Sequence, residues 1–389
     1  MSAPAAVSFG LEELLRDEAV RRREFPVVAE TRYFAHAAVC PLPACVRDAM
    51  SGYLARAGRG GQFEHLHAPA EAALRGSAAG LLGADVDEIA LVPSTSAGLS
   101  LIAAGIAWRP GDTVVISEGD FPSNVYPWLR LQAQGVAVRS IPADPGRGVS
   151  VPDVLAQLDS TTRLVALSSA HYATGARVDV QAIGRELGAR GILFCVDAIQ
   201  TLGALPTSAE HVDFLVADAH KWLLGPQGMG VLFVRRSRFE TLQPVLVGWK
   251  SVRSERDFVK QQLDFAPGAR RYEPGSLNAL GVVGVSAALQ LLASVGATAI
   301  GARIAQLRAA VVPELQRRGY EVLGGSAADG SGIISFLRDG TDTASLYKAL
   351  DARRFVVSLR NDPRGRPCIR VSPHFYNTTS ELEQLIDEL

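Results

Sequence analysis

Asp213-Phe-Leu-Val-Ala-Asp-Ala-His-Lys-Trp-Leu-Leu-Gly-Pro-Gln-Gly-Met-Gly230 sets an apolar run, a lysine and a glycine-rich turn in immediate succession. The run is short, apolar on both parities and bounded by turn residues, which reads as a strand with both faces covered. Lys221 then stands just past the strand end among apolar neighbours. Desolvation there disfavours the charged amine and favours a nucleophilic one. On this segment alone, a lysine snorkelling from a strand end to water is an equal reading.

Working outward, similar runs recur at Ile89–Val92, Thr113–Ser117, Leu164–Ser168, Ile192–Val196 and Val231–Val234, with helical periodicity in between, as at Val180–Arg190. The alternation predicts an α/β domain built on a mostly parallel sheet, over residues 25–256. From about Asp257 the pattern changes to a polar loop ending near Gly275 and a long apolar helix to about Val295. Helices near Ile304–Arg317 and Ala344–Ala352 and a strand near Gly332–Phe336 follow. Residues 257–389, with 1–24, are expected to form a smaller α+β domain.

The 389 residues suit two domains, or one large domain with a smaller one appended. A formal net charge of −1 favours neither nucleic acid nor an anionic membrane as partner. The four cysteines, Cys40, Cys45, Cys195 and Cys368, show no disulfide or metal spacing, which points to a reducing cytoplasm. The first 25 residues lack the apolar core of a secretory leader. Gly281–Ile300 is broken by Ser286, Gln290 and Ser294 and reads as a buried or amphipathic helix instead of a membrane span. Arg21-Arg22-Arg23 is read as a solvated face. No metal site is expected, and the pair His65 and His67 lacks further clustered ligands.

Two more segments sit at predicted strand ends. Asp197 closes Ile192-Leu-Phe-Cys-Val-Asp197 at the edge where α/β ligand sites lie. A helix N-cap is the simpler reading of that residue alone. A carboxylate beneath a pyridine nitrogen would instead keep that nitrogen protonated. Pro93-Ser-Thr-Ser-Ala-Gly-Leu-Ser-Leu-Ile-Ala103 opens a helix with hydroxyls and free N–H groups, which suits an anion or a plain cap. It is not a P-loop, and Gly225-Pro-Gln-Gly-Met-Gly230 is not a dinucleotide fingerprint. Together, an anion cradle, an aspartate and a lysine in that order suit a phosphorylated pyridine aldehyde.

At this point the chain resembles the class V aminotransferase family of fold-type I pyridoxal-phosphate enzymes, which includes cysteine desulfurases, kynureninase and isopenicillin N epimerase. The resemblance runs from Tyr33-Phe-Ala-His-Ala-Ala38 to Ser372-Pro-His-Phe-Tyr-Asn-Thr378. Its most specific pieces are Val196-Asp-Ala-Ile-Gln200, Ala219-His-Lys-Trp-Leu-Leu-Gly-Pro226, Tyr272-Glu-Pro-Gly-Ser-Leu-Asn278 and Arg370-Val-Ser-Pro-His-Phe-Tyr-Asn377. It implies pyridoxal 5′-phosphate as cofactor, joined to Lys221, with Asp197 at the pyridine nitrogen and Gln200 near the ring oxygen. Ser96, the backbone N–H of Ala97 and His220 would hold the phosphate. Relatives often carry serine two places before that histidine, where this chain has Asp218. Ser276 matches a residue that reaches the phosphate of a neighbouring subunit, which implies a homodimer with shared active sites. Phe121, in Glu118-Gly-Asp-Phe-Pro-Ser-Asn124, matches the ring that stacks on the cofactor. His171 and Tyr172 would border the substrate, and His171 joins Lys221, Asp197 and Phe121 in the expected catalytic set. Arg370 corresponds to the arginine that binds the substrate α-carboxylate, with Arg360 and His36 as further substrate contacts.

One departure bears on the reaction. Desulfurases of the family carry a nucleophilic cysteine on a loop before that arginine, whereas Arg360-Asn-Asp-Pro-Arg-Gly-Arg-Pro-Cys-Ile-Arg370 puts Cys368 two residues from Arg370, on the predicted strand. The expectation is therefore an enzyme acting on an amino acid, with C–S β-elimination from an S-substituted cysteine preferred. Transamination, epimerisation and a kynureninase-like β-carbon cleavage stay open. A non-catalytic cofactor-binding protein is the reading of a different class.

Overall fold

Seven strands form the main sheet of the computed structural model, which describes residues 10–259, 261–326 and 329–389; part of the leader reading lies outside them. Across the sheet the order is Ile89–Val92, Gly230–Val234, Phe214–Asp218, Leu193–Asp197, Thr162–Ser168, Thr113–Ser117 and Ala137–Ile141. All run parallel except Gly230–Val234, which is antiparallel to both neighbours. Leu167, Val196 and Ala217 enter one buried cluster, while Ala166, Cys195 and Val216 enter another on the opposite face. Helices cover both faces, which is why the strands read as apolar on both parities.

Ala137–Ile141 is a strand that the sequence reading did not predict. It lies at the sheet edge with Ala137 and Ser140 exposed, so it lacks the apolar run that marks the central strands. The long apolar helix Ala279–Val295 is buried along most of its length and packs on helices Ala44–Gly60 and Ala68–Leu82. Among the described residues no single helix is long and apolar enough to cross a membrane.

A second, four-stranded antiparallel sheet has the order Ser358–Asn361, Pro367–Val371, Ile334–Leu337, Glu321–Leu323. One face, with Ile334, Phe336, Ile369 and Val371, packs with Leu307, Val311, Leu382 and Leu385. Register puts Ser358, Arg360, Ser335, Cys368 and Arg370 on the other face. That face meets the main sheet's loops, since Ser335 bonds the carbonyl of Ala173 and Arg370 that of Tyr172. The arginine triplet is not uniformly solvated. Arg21 is buried and paired with Glu381 at 2.7 Å, while Arg22 and Arg23 are exposed.

Candidate active site

The parallel strands bring one end of the sheet together. Val92 and Asp218 both pair with Gly230, so the helix Thr95–Gly105 starts beside the turn that carries Lys221. Asp197 and Ser168 pair across the next two strands at the same edge. Every segment the sequence reading singled out on the main sheet therefore opens at one rim. Helix Thr95–Gly105 lies close against the sheet, because a Cβ on Gly98 would stand 2.6 Å from Val216.

Lys221 is 8% exposed, and its Nζ finds no hydrogen-bond partner among the described residues. It stands 5.4 Å from the centroid of the Phe121 ring. Burial pulls the amine down to about 8, against the opposing pull of Asp197. Asp197 is also buried, and desolvation pushes its carboxyl up to about 7 although Oδ1 accepts the N–H of Ile199. The turn after Lys221 is tight. Leu224 is buried at φ 58°, in the left-handed region that few side chains adopt, and Gly225 N–H donates to Ala219 O.

Phe121 is 41% exposed, so its ring is free to meet a ligand. Its backbone is fixed by Asp120, which the sequence reading passed over. The buried Asp120 carboxylate accepts from Phe121 N–H, Asn124 Nδ2 and Ser168 Oγ, tying the loop to the next strand. The spacing of Asp120 and Asn124 around Pro122 was the available signal.

At the anion end, Ser96 is exposed and its Oγ lies 2.7 Å from Ser123 Oγ. Ala97 N–H donates to the capping hydroxyl of Ser94, so it is already engaged. Thr95 was also missed; its Oγ1 accepts the N–H of Asp218. The Asp218 carboxylate turns back on its own turn, accepting from Ala219 N–H, and stands 3.2 Å from His220 Nδ1. That nitrogen is off the bonding direction and has no hydrogen-bond partner. Gln200 is buried, with Nε2 donating to Ala37 O and Oε1 accepting from Trp222. Ser276 is exposed.

Arg370 is 1% exposed, yet no carboxylate among the described residues pairs with it. Its Nη groups reach Tyr172 O and Ser358 Oγ, and its Nε has no partner. Burial, reinforced by Arg360, pulls it down to about 9.

Two expectations need correction. His36 is fully buried, with Nδ1 donating to Ser372 O and Nε2 accepting from Tyr376 Oη, so it braces the interior and offers no atom to a substrate. His171 accepts the N–H groups of Ala173 and Thr174 at Nδ1, which fixes the proton on Nε2, and that N–H donates to Gly119 O. Its ring has no free nitrogen for proton transfer. Cys368, by contrast, lies where the reading put it: buried in strand Pro367–Val371 beside Leu323 and Leu337, its thiol pushed up to about 11 by desolvation.

These side chains fit pyridoxal phosphate. A partnerless buried amine, a buried carboxylate, an exposed ring and a helix N-terminus beside an imidazole whose Nδ1 lacks a hydrogen bond converge on one rim. Comparison with known proteins agrees. The family described as "Aminotransferase class-V" matches residues 32–385. A probable cysteine desulfurase of Methanothermobacter thermautotrophicus is 31% identical, over 96% of this chain and 98% of its own. Isopenicillin N epimerase of Streptomyces clavuligerus is 28% identical, over 81% of this chain and 82% of its own. The apo structure of a cysteine desulfurase from Thermococcus onnurineus NA1 superposes with a TM-score of 0.86 at 24% identity, covering 100% of this chain and 98% of that one.

Proposed function

The chain belongs to the aminotransferase class-V family, and from that premise we propose a pyridoxal 5′-phosphate enzyme that cleaves the C–S bond of an S-substituted cysteine. In this reading Lys221 carries the cofactor, Asp197 faces its pyridine nitrogen and Phe121 covers its ring. Ser96, the start of helix Thr95–Gly105 and His220 take the phosphate, and Gln200 lies toward the ring oxygen. When bound, the cofactor supplies a protonated pyridine that withdraws electrons from the substrate α-carbon.

The chain's own groups do the rest. Arg370 takes the α-carboxylate through a planar fork, and its partnerless Nε supports that role. Once the substrate's own amine has taken its place, the freed Lys221 amine, its basicity lowered by burial, would take the α-proton. The Cα–H and Cβ–S bonds break and a Cα=Cβ bond forms. The proton passes to the departing thiolate, and water then hydrolyses the enamine to pyruvate and ammonia. His171 acts by holding the Gly119–Phe121 loop.

The observation that favours elimination over persulfide transfer is Cys368, whose buried, strand-bound thiol cannot reach out as a nucleophile. A homodimer belongs to the same proposal, with Ser276 of one copy reaching the phosphate site of the other. The exposed Leu246, Trp249, Phe258 and Leu263 support it.

The test mixes cofactor-loaded protein with cysteine and S-substituted cysteines and follows pyruvate, ammonia and the pyridoxamine form of the cofactor together. Pyruvate and ammonia with unchanged cofactor establish elimination. Accumulating pyridoxamine makes it an aminotransferase, and α-inversion in deuterated water makes it an epimerase.

A further inference from the structure

We infer that Arg360 is a specificity-determining residue for a second anionic group, so that the substrate is an S-substituted cysteine whose sulfur substituent is itself acidic. The inference rests on the C–S lyase reading and names its substrate class.

Register supplies the geometry. Ser358 pairs directly with Arg370, and Arg360 pairs with Cys368, so both arginines stand on the same face of the small sheet, as diagonal neighbours. Diagonal positions in an antiparallel pair lie about 7–8 Å apart, within reach of two long side chains directed at one ligand. That face turns toward the main sheet's rim, because Arg370 reaches Tyr172 O and Ser335 reaches Ala173 O.

Charge supplies the ligand. Arg360 is only partly exposed, and its hydrogen bond is to its neighbour's carbonyl, Leu359 O, at 2.7 Å. No carboxylate among the described residues pairs with it. The contrast within the same hairpin is sharp. Arg366 is paired with both Glu321 and Asp362, and the Asp362 carboxylate also accepts the N–H groups of Arg364 and Arg366. Arg366 near the hairpin tip is therefore paired and held, while the inward end is left with two guanidiniums lacking a carboxylate. Arg360 lies close enough for its charge to help hold both Arg370 and Lys221 below their ordinary ranges. Asp197 and Asp218 are the carboxylates that act on Lys221 from the other side, and each is turned to its own backbone.

An α-amino acid with a neutral side chain brings one carboxylate, which satisfies Arg370 and leaves Arg360 facing another cation. A carboxylate or sulfonate on the sulfur substituent matches the second guanidinium and relieves that repulsion.

The experiment compares S-(carboxymethyl)cysteine with its near-isosteric neutral amide, S-(carbamoylmethyl)cysteine, on the cofactor-loaded enzyme. A charge-assisted bond predicts kcat/KM about 10- to 100-fold higher for the acid. Arg360→Gln should bring that ratio close to one, and Arg360→Lys should restore part of it. Equal kcat/KM for acid and amide in the wild type overturns the inference while leaving the lyase reading intact. If neither compound yields pyruvate, equilibrium binding followed by the cofactor absorbance decides the Arg360 question separately, and the lyase reading fails only if the wider panel of S-substituted cysteines also gives no pyruvate. Tighter binding of the acid, abolished in Arg360→Gln, then upholds the recognition, and equal binding refutes it.

Discussion

Replacing Arg370 by methionine should move stability and ligand binding in different directions, and the structure says by how much. The guanidinium is 1% exposed and has no acidic partner among the described residues. Burial pulls it from its ordinary 12.5 to about 9. At about 1.4 kcal/mol per tenfold change in protonation, keeping it charged at neutral pH opposes folding by about 4–5 kcal/mol. Its hydrogen bonds to Tyr172 O and Ser358 Oγ return part of that, and methionine leaves those two oxygens unsatisfied at about 1 kcal/mol or more each. The net expectation for the apoprotein runs from no change to a gain of about 3 kcal/mol, read by urea unfolding at pH 7. Amino-acid binding to the loaded enzyme should weaken by about 100-fold or more, since a desolvated carboxylate loses its cation. A loss of more than about 2 kcal/mol in the apoprotein would refute the reasoning. It would mean that the fold already satisfies this charge and does not hold it in reserve for a ligand.

Other expectations follow from the same rim. The rate at which the apoprotein captures pyridoxal phosphate should rise with pH to a midpoint near 8, where buried Lys221 loses its proton; a midpoint near 10.5 would contradict its burial. Stability shows the same group with the opposite concern. A lysine lowered on folding is a penalty below about 8, and that penalty fades as pH climbs toward 10.5, so Lys221→Met should stabilise the apoprotein at pH 7 more than at pH 10. Asp120→Ala should cost about 2–3 kcal/mol in thermal or urea unfolding, because Phe121 N–H, Asn124 and Ser168 lose one shared acceptor; a change under 0.5 kcal/mol would show that the loop is held otherwise. Cys368→Ala should leave C–S cleavage within threefold, and mass spectrometry of the wild type after turnover should find no persulfide on Cys368. A persulfide there would restore the desulfurase reading.

Much of this was legible in the chain because strands buried on both faces advertise themselves as continuous apolar runs. The strand ends made Lys221 and Asp197 candidates, each with a plainer reading of its own, and the ordered motifs around them pointed to the family. The edge strand Ala137–Ile141 escaped because solvent on one side removes the apolar signal. His36 and His171 were misread because a histidine's role depends on who holds its two nitrogens, and Ser372, Tyr376, Gly119 and Thr174 are distant or ambiguous in sequence.

By itself the sequence determined the local elements, the lysine and aspartate at their ends, and the charge and size of each side chain, since these depend on short-range periodicity and residue chemistry. Only the tertiary structure decided which charges go unanswered. Arg366 and Arg370 look alike in a basic hairpin, but Arg366 sits in the turn, paired with Glu321, whereas strand register buries Arg370 without a carboxylate beside Tyr172. Burial and pairing are properties of neighbours brought together from far along the chain, and no window of sequence contains them.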